Sequence, residues 1–401
     1  MLEPEPCGPV IYCRPKLQTH QFRKALMHVM NALVSHGCLI VDLADQKGAD
    51  DDISLTMSKM WGSTDKFFKT LDSNPETEKQ LPRMSAIPAS PFAKMGYANF
   101  QDGMKFMETR VERGDGGAVM PVELSSIVGQ DGMDSLKRAF GVIASVGKDV
   151  VRIATAASTL ENSGFIVPSE ETPAISGVPF LAEEDEDDSA AAIKSSDCAT
   201  LMVEELLDDG TLLQGNDQQG AVSMSPHRLC SYSNIKEDTP AEVFGAHTDS
   251  SFVTIVPVAS VAGLEVYDED AEKWYRPELK ARSIWESERE ENGEDPEALF
   301  ETIKGGDGED DILIPWHARY LVVVPGEFLQ IASRNEIVAA VHRVVASGPA
   351  RLSAPVLVRG RPGVTVDVPR YLGEINDKLL EQVNGLNMQQ IHDALQPGAS
   401  K

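Results

Sequence analysis

The sequence predicts an α+β protein in which helices come first, a β-rich half follows, and one helix lies near the end of the chain. The helical segments carry apolar residues at the 3.6-residue period, whereas the chain after about residue 227 consists of short apolar runs separated by turn residues. Helices segregated from strands argue against alternating βαβ units, and a series of short strands indicates a sandwich or a barrel.

Three helices are predicted in the first part of the chain. Over residues 18–36 the apolar side chains recur at i, i+3, i+4, i+7 and i+8, and Gly37 is placed to end the helix. Residues 52–72 and 133–158 carry similar stripes, whose methionine and aromatic side chains are expected to belong to the core.

Strands are predicted mainly in the second half. Residues 38–43 form an early buried strand, whereas residues 84–103 are rich in Pro, Ala and Gly and are predicted to be irregular. A last helix is predicted over residues 374–395. The later strands correspond to the segments "HRLCSYSN", "SFVTIVPV", "GLEVYD", "WYRP", "YLVVVPG", "AAVHRVVA" and "RLSAPVLVRG".

These patterns divide the chain into four regions. Residues 1–165 form a mostly helical region, and residues 166–226 form an acidic insertion or loop. Residues 227–365 form the strand-rich domain, which is interrupted by a second acidic insertion at about 280–311. Residues 366–401 hold the final helix and a tail.

The acidity of the chain is concentrated in two segments. The formal net charge is −27, and residues 183–217 and 286–311 each hold 12 acidic residues against one and two basic residues, respectively. Charge blocks of this kind are usually solvated and mobile, and both segments are interpreted in that way. A net charge this negative argues against nucleic acid and anionic membranes as partners, because their phosphates would be repelled.

The remaining composition predicts a soluble, cytoplasmic protein. The five cysteines form no CxxC pair, which suits a reducing compartment. The N-terminal stretch "MLEPEPCGPVIYCRPKL" is acidic and broken by proline, unlike a signal peptide, and no apolar run approaches the length of a membrane span.

A candidate metal site begins at "FGAHTDSSFVTIVPV". His247 and Asp249 are two residues apart, so an extended chain presents both side chains on one face. A metal site needs a further ligand, and His342 lies inside a later strand pattern. Two imidazoles and one carboxylate on one side of a metal leave three positions open, which is typical of non-haem Fe(II) oxygenases.

A candidate anion site follows in the same half of the chain. Arg351 and Ser353 are again two residues apart and share one face of the next strand. A guanidinium is the natural partner of a carboxylate, and a neighbouring hydroxyl adds a hydrogen bond. An arginine that faces a barrel interior is costly unless an anion meets it, and a bound dicarboxylate would supply that anion.

Taken in order, "GAHTDSSFVTIV…GLEVYD…KWYRP…YLVVVPGEFLQIAS…VHRVV…RLSAPVLV" resembles the 2-oxoglutarate/Fe(II)-dependent dioxygenases of the isopenicillin N synthase-like superfamily. The resemblance covers most of the chain. It implies a double-stranded β-helix, or jelly roll, with flanking N-terminal helices and a C-terminal helix. The chain departs from the family pattern at Cys230, where Asn is common, and at Gly326-Glu327, where Gly-Asp is common.

The resemblance also implies roles for individual residues. His247, Asp249 and His342 match the iron ligands, and Arg351 and Ser353 match the pair that holds the far carboxylate of 2-oxoglutarate. Tyr232 matches a tyrosine that lines the same co-substrate pocket.

The implied activity is the oxidation of a small organic metabolite by hydroxylation or desaturation, with release of succinate and CO2. The implied cofactor and co-substrates are Fe(II), 2-oxoglutarate and O2, with ascorbate helpful in vitro. Three alternatives stay open: an isopenicillin N synthase-like oxidase that does not use 2-oxoglutarate, a catalytically silent relative that binds a small acid or a protein partner, and a structural zinc site. A closed, four-coordinate zinc site would leave Arg351 without a purpose.

Overall fold

The computed structural model describes most of the predicted secondary structure. The residues that it describes are 9–11, 29–43, 53–87, 90–100, 103–112, 118–162, 203, 205–208, 222–233, 241–269, 271–303, 311–346, 348–361, 363–372, 378–387 and 390–391.

The helices lie mostly before and between the strands. Their bounds are residues 29–36 for α1, then α2 Ile53–Ser73, α3 Pro75–Gln80, α4 Val122–Val128, α5 Gln130–Asn162, α6 Pro277–Glu291, α7 Glu327–Ala332, α8 Val368–Leu372 and α9 Lys378–Val383, with a 3₁₀ turn at Trp316–Arg319. Among the described residues, no helix has both the length and the apolar character needed to cross a membrane.

The strands are short and mostly antiparallel. Their bounds are β1 Pro9–Ile11, β2 Leu39–Asp42, β3 Ser85–Ile87, β4 Ser90–Asn99, β5 Met104–Glu112, β6 Ala118–Val119, β7 Val222–Tyr232, β8 Ala241–His247, β9 Val253–Pro257, β10 Leu264–Asp268, β11 Lys273–Tyr275, β12 Phe300–Ile303, β13 Ile312–Pro315, β14 Tyr320–Pro325, β15 His342–Ala346, β16 Arg351–Ser353 and β17 Val356–Val358.

Two sheets and a separate hairpin are formed. The larger sheet has the order β1-β2-β14-β9-β17-β7-β5-β4-β3, with β16 also paired to β7 and β6 to β5. The smaller sheet has the order β11-β10-β15-β8, and β12 pairs with β13 alone. Only the β1–β2 pair is parallel among the ladders between the described strands.

The two sheets pack against each other, and this packing creates the interior in which the candidate site lies. One buried cluster joins Phe106 and Cys230 of the larger sheet to Val243 and Val344 of the smaller sheet. Because side chains alternate along a strand, every second residue of β5 and β7 faces the smaller sheet.

The opposite face of the larger sheet is covered by α5. At Gly147 of this helix an added Cβ would lie 2.3 Å from Cδ1 of Ile255 and 2.8 Å from Cγ2 of Val358. A larger residue would therefore push the helix away from β9 and β17, and glycine permits the close approach. The predicted helix over 133–158 is confirmed, as is the helix over 52–72.

The predicted strands and the first predicted helix can be compared with the structure. The strand at 38–43 is confirmed as β2, and the seven later strand segments all contain strands. Of the helix predicted over 18–36, residues 29–36 are helical and the remainder lies outside the described residues. Gly37 follows the helix with φ of 62°, a left-handed conformation that suits a helix end.

Two predictions of local structure were wrong. Residues 84–103 are not irregular, because they contain β3 and the whole of β4, which pairs with β5. Of the final helix predicted over 374–395, the described part contains the short helix α9, and a separate short helix, α8, precedes it. A bridge between Thr365 and Asn387 closes this segment, so its chain direction reverses where one helix was expected.

The second acidic segment was expected to be a solvated, mobile block; most of its described residues are exposed, but many of them belong to regular secondary structure. The segment contains the end of α6 and strand β12, which pairs with the following strand β13. The buried Trp285 anchors α6, and the guanidinium of Arg319 bonds Asp42 at 2.6 Å and Glu288 at 2.5 Å. Of the first acidic segment, 183–217, nearly all residues lie outside the described part of the chain.

An unusual buried histidine lies beneath α5. Both ring nitrogens of His227 are buried without a hydrogen-bond partner, and the ring stacks on Phe140 with centroids 5.0 Å apart. Burial lowers the pKa of His227 to about 3. In the unfolded chain an imidazole takes up a proton below about pH 6.5, so the unfolded state binds more protons than the folded state between these values.

Stability is therefore expected to fall as the pH drops from about 6.5 towards 3, by up to about 1.4 kcal/mol per pH unit from this group. In His227→Leu, an apolar replacement of similar size, that contribution should be absent. Urea denaturation of both proteins at pH 7 and at pH 5 measures it. The free energy of unfolding should fall more steeply for the parent than for the variant, and equal pH slopes would contradict this account of His227.

Candidate metal and co-substrate site

The smaller sheet brings two histidines together with an aspartate. His247 ends β8 and His342 begins β15, and the two residues are direct cross-strand partners. Nε2 of His247 lies 3.5 Å from Oδ1 of Asp249, and Nε2 of His342 lies 3.4 Å from Oδ2 of the same carboxylate. The three ligand atoms all lie within 4.8 Å of one another, which is the arrangement that a single metal ion needs.

The orientation of both imidazoles suits metal binding. Nδ1 of His247 is 2.8 Å from the carbonyl oxygen of Gly245, and Nδ1 of His342 is 3.1 Å from that of Ala340. A backbone carbonyl accepts a hydrogen bond from Nδ1–H, which keeps the proton on Nδ1 and leaves the lone pair on Nε2, the atom that faces Asp249.

Asp249 is held from several sides. Thr254 donates a hydrogen bond to Oδ2 at 2.5 Å, and the backbone carbonyl of Asp249 accepts from the N–H of Glu327 at 2.9 Å. At Gly326 an added Cβ would lie 2.2 Å from the carbonyl oxygen of Ser251, so only glycine allows this turn to approach the Asp249 segment. Supporting contacts of this kind orient a ligand before the metal binds.

The carboxylate of Asp249 is ionised at neutral pH. Burial acts to raise the pKa of Asp249, but the neighbouring His342 and His247 rings outweigh burial and hold that pKa well below its ordinary value. A metal ligand must be deprotonated, and Asp249 meets this requirement. Exposure of the side chains falls from 27% for His247 to 8% for His342, so the site is reached from the His247 side.

Arg351 is fully buried and already has an anionic partner. Its Nη2 donates a hydrogen bond to Oε1 of Glu278 at 2.7 Å, and Glu278 lies at the start of α6. Oε2 of Glu278 also accepts from the backbone N–H of Gly263 at 2.6 Å. The burial of Arg351 therefore does not by itself require a bound dicarboxylate, because the protein supplies an anion of its own. For the same reason Arg351 no longer argues against a zinc site.

Tyr232 and Ser353 lie beside Arg351 on paired strands. Arg351 is the cross-strand partner of Tyr232, and Ser353 is the partner of Cys230. The guanidinium carbon of Arg351 lies 5.6 Å from the centre of the Tyr232 ring. The Nε atom of Arg351 is buried without a hydrogen-bond partner, so one donor of this guanidinium is unused. The predicted anion-binding side chains thus share one buried patch.

Sequence reasoning missed Glu278 as a partner for Arg351. Glu278 is followed within the next 33 residues by a run of acidic side chains, and nothing in the sequence distinguishes it from them. The sequence offered one indication: an arginine in the interior is costly without an anionic partner. That cost predicts an anion near Arg351 but does not identify the residue or ligand that supplies it.

No protein-family profile matches the sequence, and no curated protein matches it. Solved structures do resemble the fold. A full-length Neurospora crassa protein, solved in complex with alpha-KG and 5-formyluracil, matches with a TM-score of 0.55 at 13% identity over 96% of this chain and 92% of that chain.

Two further solved structures give similar values. The dioxygenase for auxin oxidation of rice matches with a TM-score of 0.51 at 13% identity over 94% of this chain and 91% of that chain. A protein assigned to the 2OG-Fe(II) oxygenase family from Caulobacter crescentus matches with a TM-score of 0.50 at 17% identity over 96% and 98% of the two chains. The protein therefore has the fold of the 2OG-Fe(II) oxygenases, as the resemblance of its sequence motifs implied.

Proposed function

We propose that the protein is a 2-oxoglutarate- and Fe(II)-dependent dioxygenase that oxidises a small organic metabolite, and that its two facing sheets form a double-stranded β-helix. The observation that carries the proposal is the convergence of His247, Asp249 and His342, whose ligand atoms lie within 4.8 Å of one another. Two neutral nitrogens and one carboxylate oxygen form the ligand set that leaves three positions free on a ferrous ion.

The residues present fit the proposed cofactor. In this proposal His247, Asp249 and His342 hold Fe(II), and Thr254 keeps the carboxylate of Asp249 in place. Arg351, with Ser353, binds the far carboxylate of 2-oxoglutarate. When bound, iron and 2-oxoglutarate supply the oxidising chemistry with O2, and succinate and CO2 are released.

Tyr232 and Glu278 would support the co-substrate from opposite sides of Arg351. Tyr232 packs on the guanidinium, whereas Glu278 fixes its Nη2 end. The remaining guanidinium donors would then point to the co-substrate in a geometry set before it binds. Buried apolar neighbours such as Val344 and Phe106 exclude water from this interior.

One observation favours a second candidate. The Arg351–Glu278 pair neutralises the guanidinium without a ligand, which would suit an isopenicillin N synthase-like oxidase that needs no 2-oxoglutarate. Such an enzyme would still use the three-residue metal site.

A screen of a metabolite pool separates these candidates. The protein with Fe(II) and O2 is incubated with and without 2-oxoglutarate, and products and succinate are measured by mass spectrometry. A dioxygenase gives a product heavier by one oxygen or lighter by two hydrogens only when 2-oxoglutarate is present, together with equimolar succinate. A product formed without 2-oxoglutarate would support the oxidase instead.

A further inference from the structure

A second arginine with a buried donor lies on the interior face and lacks an ionic partner. The Nε atom of Arg359 is buried without a hydrogen-bond partner, and no described acidic side chain forms an ion pair with this guanidinium. The two fully buried arginines of the larger sheet each have a carboxylate: Arg351 bonds Glu278, and Arg110 bonds Glu108. An arginine with an unused buried donor is costly unless a ligand meets it.

The strand register shows where Arg359 points. Arg359 directly follows β17, in which Val356 and Val358 pack into the core beneath α5. Because side chains alternate along a strand, the neighbouring Arg359 faces the opposite side, towards the smaller sheet. Its backbone N–H bonds the hydroxyl of Ser225 at 3.0 Å, which fixes this end of the strand against β7.

Arg228 lies further along β7 on the same face and acts electrostatically on Arg359. Arg228 belongs to β7 and is the cross-strand partner of Glu108 on β5, to which its Nε donates at 2.6 Å. Along β7, the side chains of Arg228, Cys230 and Tyr232 share one face, and the latter two pack against the smaller sheet. Arg228 and Arg359 are thus on the interior face that His247 and His342 border.

The guanidiniums of Arg110, Arg228 and Arg359 act on one another electrostatically, and the carboxylates of Glu108, Asp208 and Asp249 act on members of this group. Burial, together with repulsion from Arg110 and Arg228, lowers the pKa of Arg359 to about 10, so it is still charged at neutral pH. Glu108 is shared between Arg110 and Arg228, and it therefore does not neutralise both. Asp249 also acts on both Arg228 and Arg359, which shows that the arginines lie within electrostatic reach of the metal site.

Aromatic side chains lie beside Arg228 and beside the metal site. The guanidinium carbon of Arg228 is 5.2 Å from the ring centre of Phe106, and Phe100 stacks on Phe106 with centroids 5.8 Å apart. Phe244 contacts the ring of His247 edge-on at 4.5 Å. A ligand between the arginines and the metal would therefore meet apolar rings along its body.

We propose that Arg359, assisted by Arg228, binds a carboxylate of the substrate, so that the substrate is a small organic acid with an apolar body. This inference rests on the proposed function, since it deepens the assignment of the same site. A monoanion fits better than a phosphate ester, because Arg110, Arg228 and Arg351 already have carboxylate partners and a net charge of −27 disfavours more highly charged ligands.

Arg351 and Arg359 would then bind different ligands. Arg351, which is paired with Glu278, binds 2-oxoglutarate, whereas Arg359 binds the carboxylate of the substrate. Loss of Arg359 is therefore expected to weaken binding of the acid by about tenfold or more, as expected for a hydrogen bond between charged groups, and to leave the affinity for 2-oxoglutarate unchanged.

The test uses matched acids and amides as probes. Binding of 3-phenylpropionate and hexanoate, and of their primary amides, is measured by calorimetry on the full chain, with Fe(II) and 2-oxoglutarate under anaerobic conditions and also without them. The proteins compared are the parent, Arg359→Gln and Arg152→Gln, whose arginine lies on the outer surface of α5. The control removes one positive charge far from the site.

The expected result is that at least one acid binds the parent about tenfold more tightly than its amide, that Arg359→Gln loses this preference, and that Arg152→Gln keeps it. Equal binding of every acid and its amide, including no binding of either, would overturn the inference. So would a preference that survives in Arg359→Gln, or a loss of 2-oxoglutarate affinity in that variant. If 2-oxoglutarate fails to bind the parent while the acid preference persists, the proposed function fails and the carboxylate site stands.

Discussion

Asp249→Ala and His342→Ala are each expected to abolish 2-oxoglutarate-dependent succinate formation, with a loss of at least about 100-fold. Even residues that only support a metal ligand cost about 10- to 100-fold when they are removed, and these two side chains supply ligand atoms themselves. Their ligand atoms lie 3.4 Å apart, so removal of either leaves a site with too few ligands. Succinate release and Fe(II) affinity, measured by equilibrium dialysis, give two independent readouts.

A matched control is available for this experiment. Asp268 is a partly exposed aspartate at the end of β10, where its carboxylate accepts from the backbone N–H of Ala271 at 2.9 Å. Asp268→Ala should keep parental Fe(II) affinity and turnover. Unchanged Fe(II) binding in folded Asp249→Ala would refute the assignment of this carboxylate as a ligand.

Glu278→Gln is expected to destabilise the protein strongly and to make it respond more strongly to 2-oxoglutarate. Glu278 and Arg351 are both 1% exposed, and removal of one partner of a buried ion pair costs about 3–5 kcal/mol because the other charge is left unpaired. A ligand carboxylate would restore a partner for Arg351. Thermal unfolding with and without 2-oxoglutarate should show a lower melting temperature and a larger ligand-induced rise in the variant.

The double variant Arg351→Met/Glu278→Gln completes this test. Replacement of both charges removes the unpaired group, so the double variant should regain much of the lost stability while its melting temperature no longer responds to 2-oxoglutarate. If Arg351→Met alone keeps a parental response to 2-oxoglutarate, another residue holds the co-substrate. If Glu278→Gln is as stable as the parent, the pair contributes nothing to the folded state.

The metal ligands could be predicted from the sequence because the chemistry of the site constrains local patterns. His247 and Asp249 must be two residues apart to share a face at the end of a strand, and His342 must begin a strand that pairs beside them. These requirements fix the types of the ligand residues and their order in the sequence, so that the pattern can be recognised. The apolar stripes of α2 and α5 were equally visible, because a helix that packs on a sheet needs a continuous apolar face.

The contacts that sequence reasoning missed are decided by the tertiary structure. Glu278 reaches Arg351 because α6 packs against β10, and in the sequence it cannot be distinguished from the acidic residues that follow it. Strand β4 was missed because its proline and glycine content argues against a strand. At Gly96 the strand has φ of 130°, and an added Cβ would lie 2.7 Å from the carbonyl oxygen of Arg83. Such a close approach is decided by packing, which no local pattern records.

The central claim is that His247, Asp249 and His342 hold one ferrous ion that also binds 2-oxoglutarate. Anaerobic addition of Fe(II) and then 2-oxoglutarate to the purified protein, followed by visible absorption spectroscopy, tests this claim most directly. The account predicts a charge-transfer band that saturates at one equivalent of Fe(II) and is absent in His342→Ala. A folded parent protein that gives no band with both additions, or an equal band in His342→Ala, would contradict it.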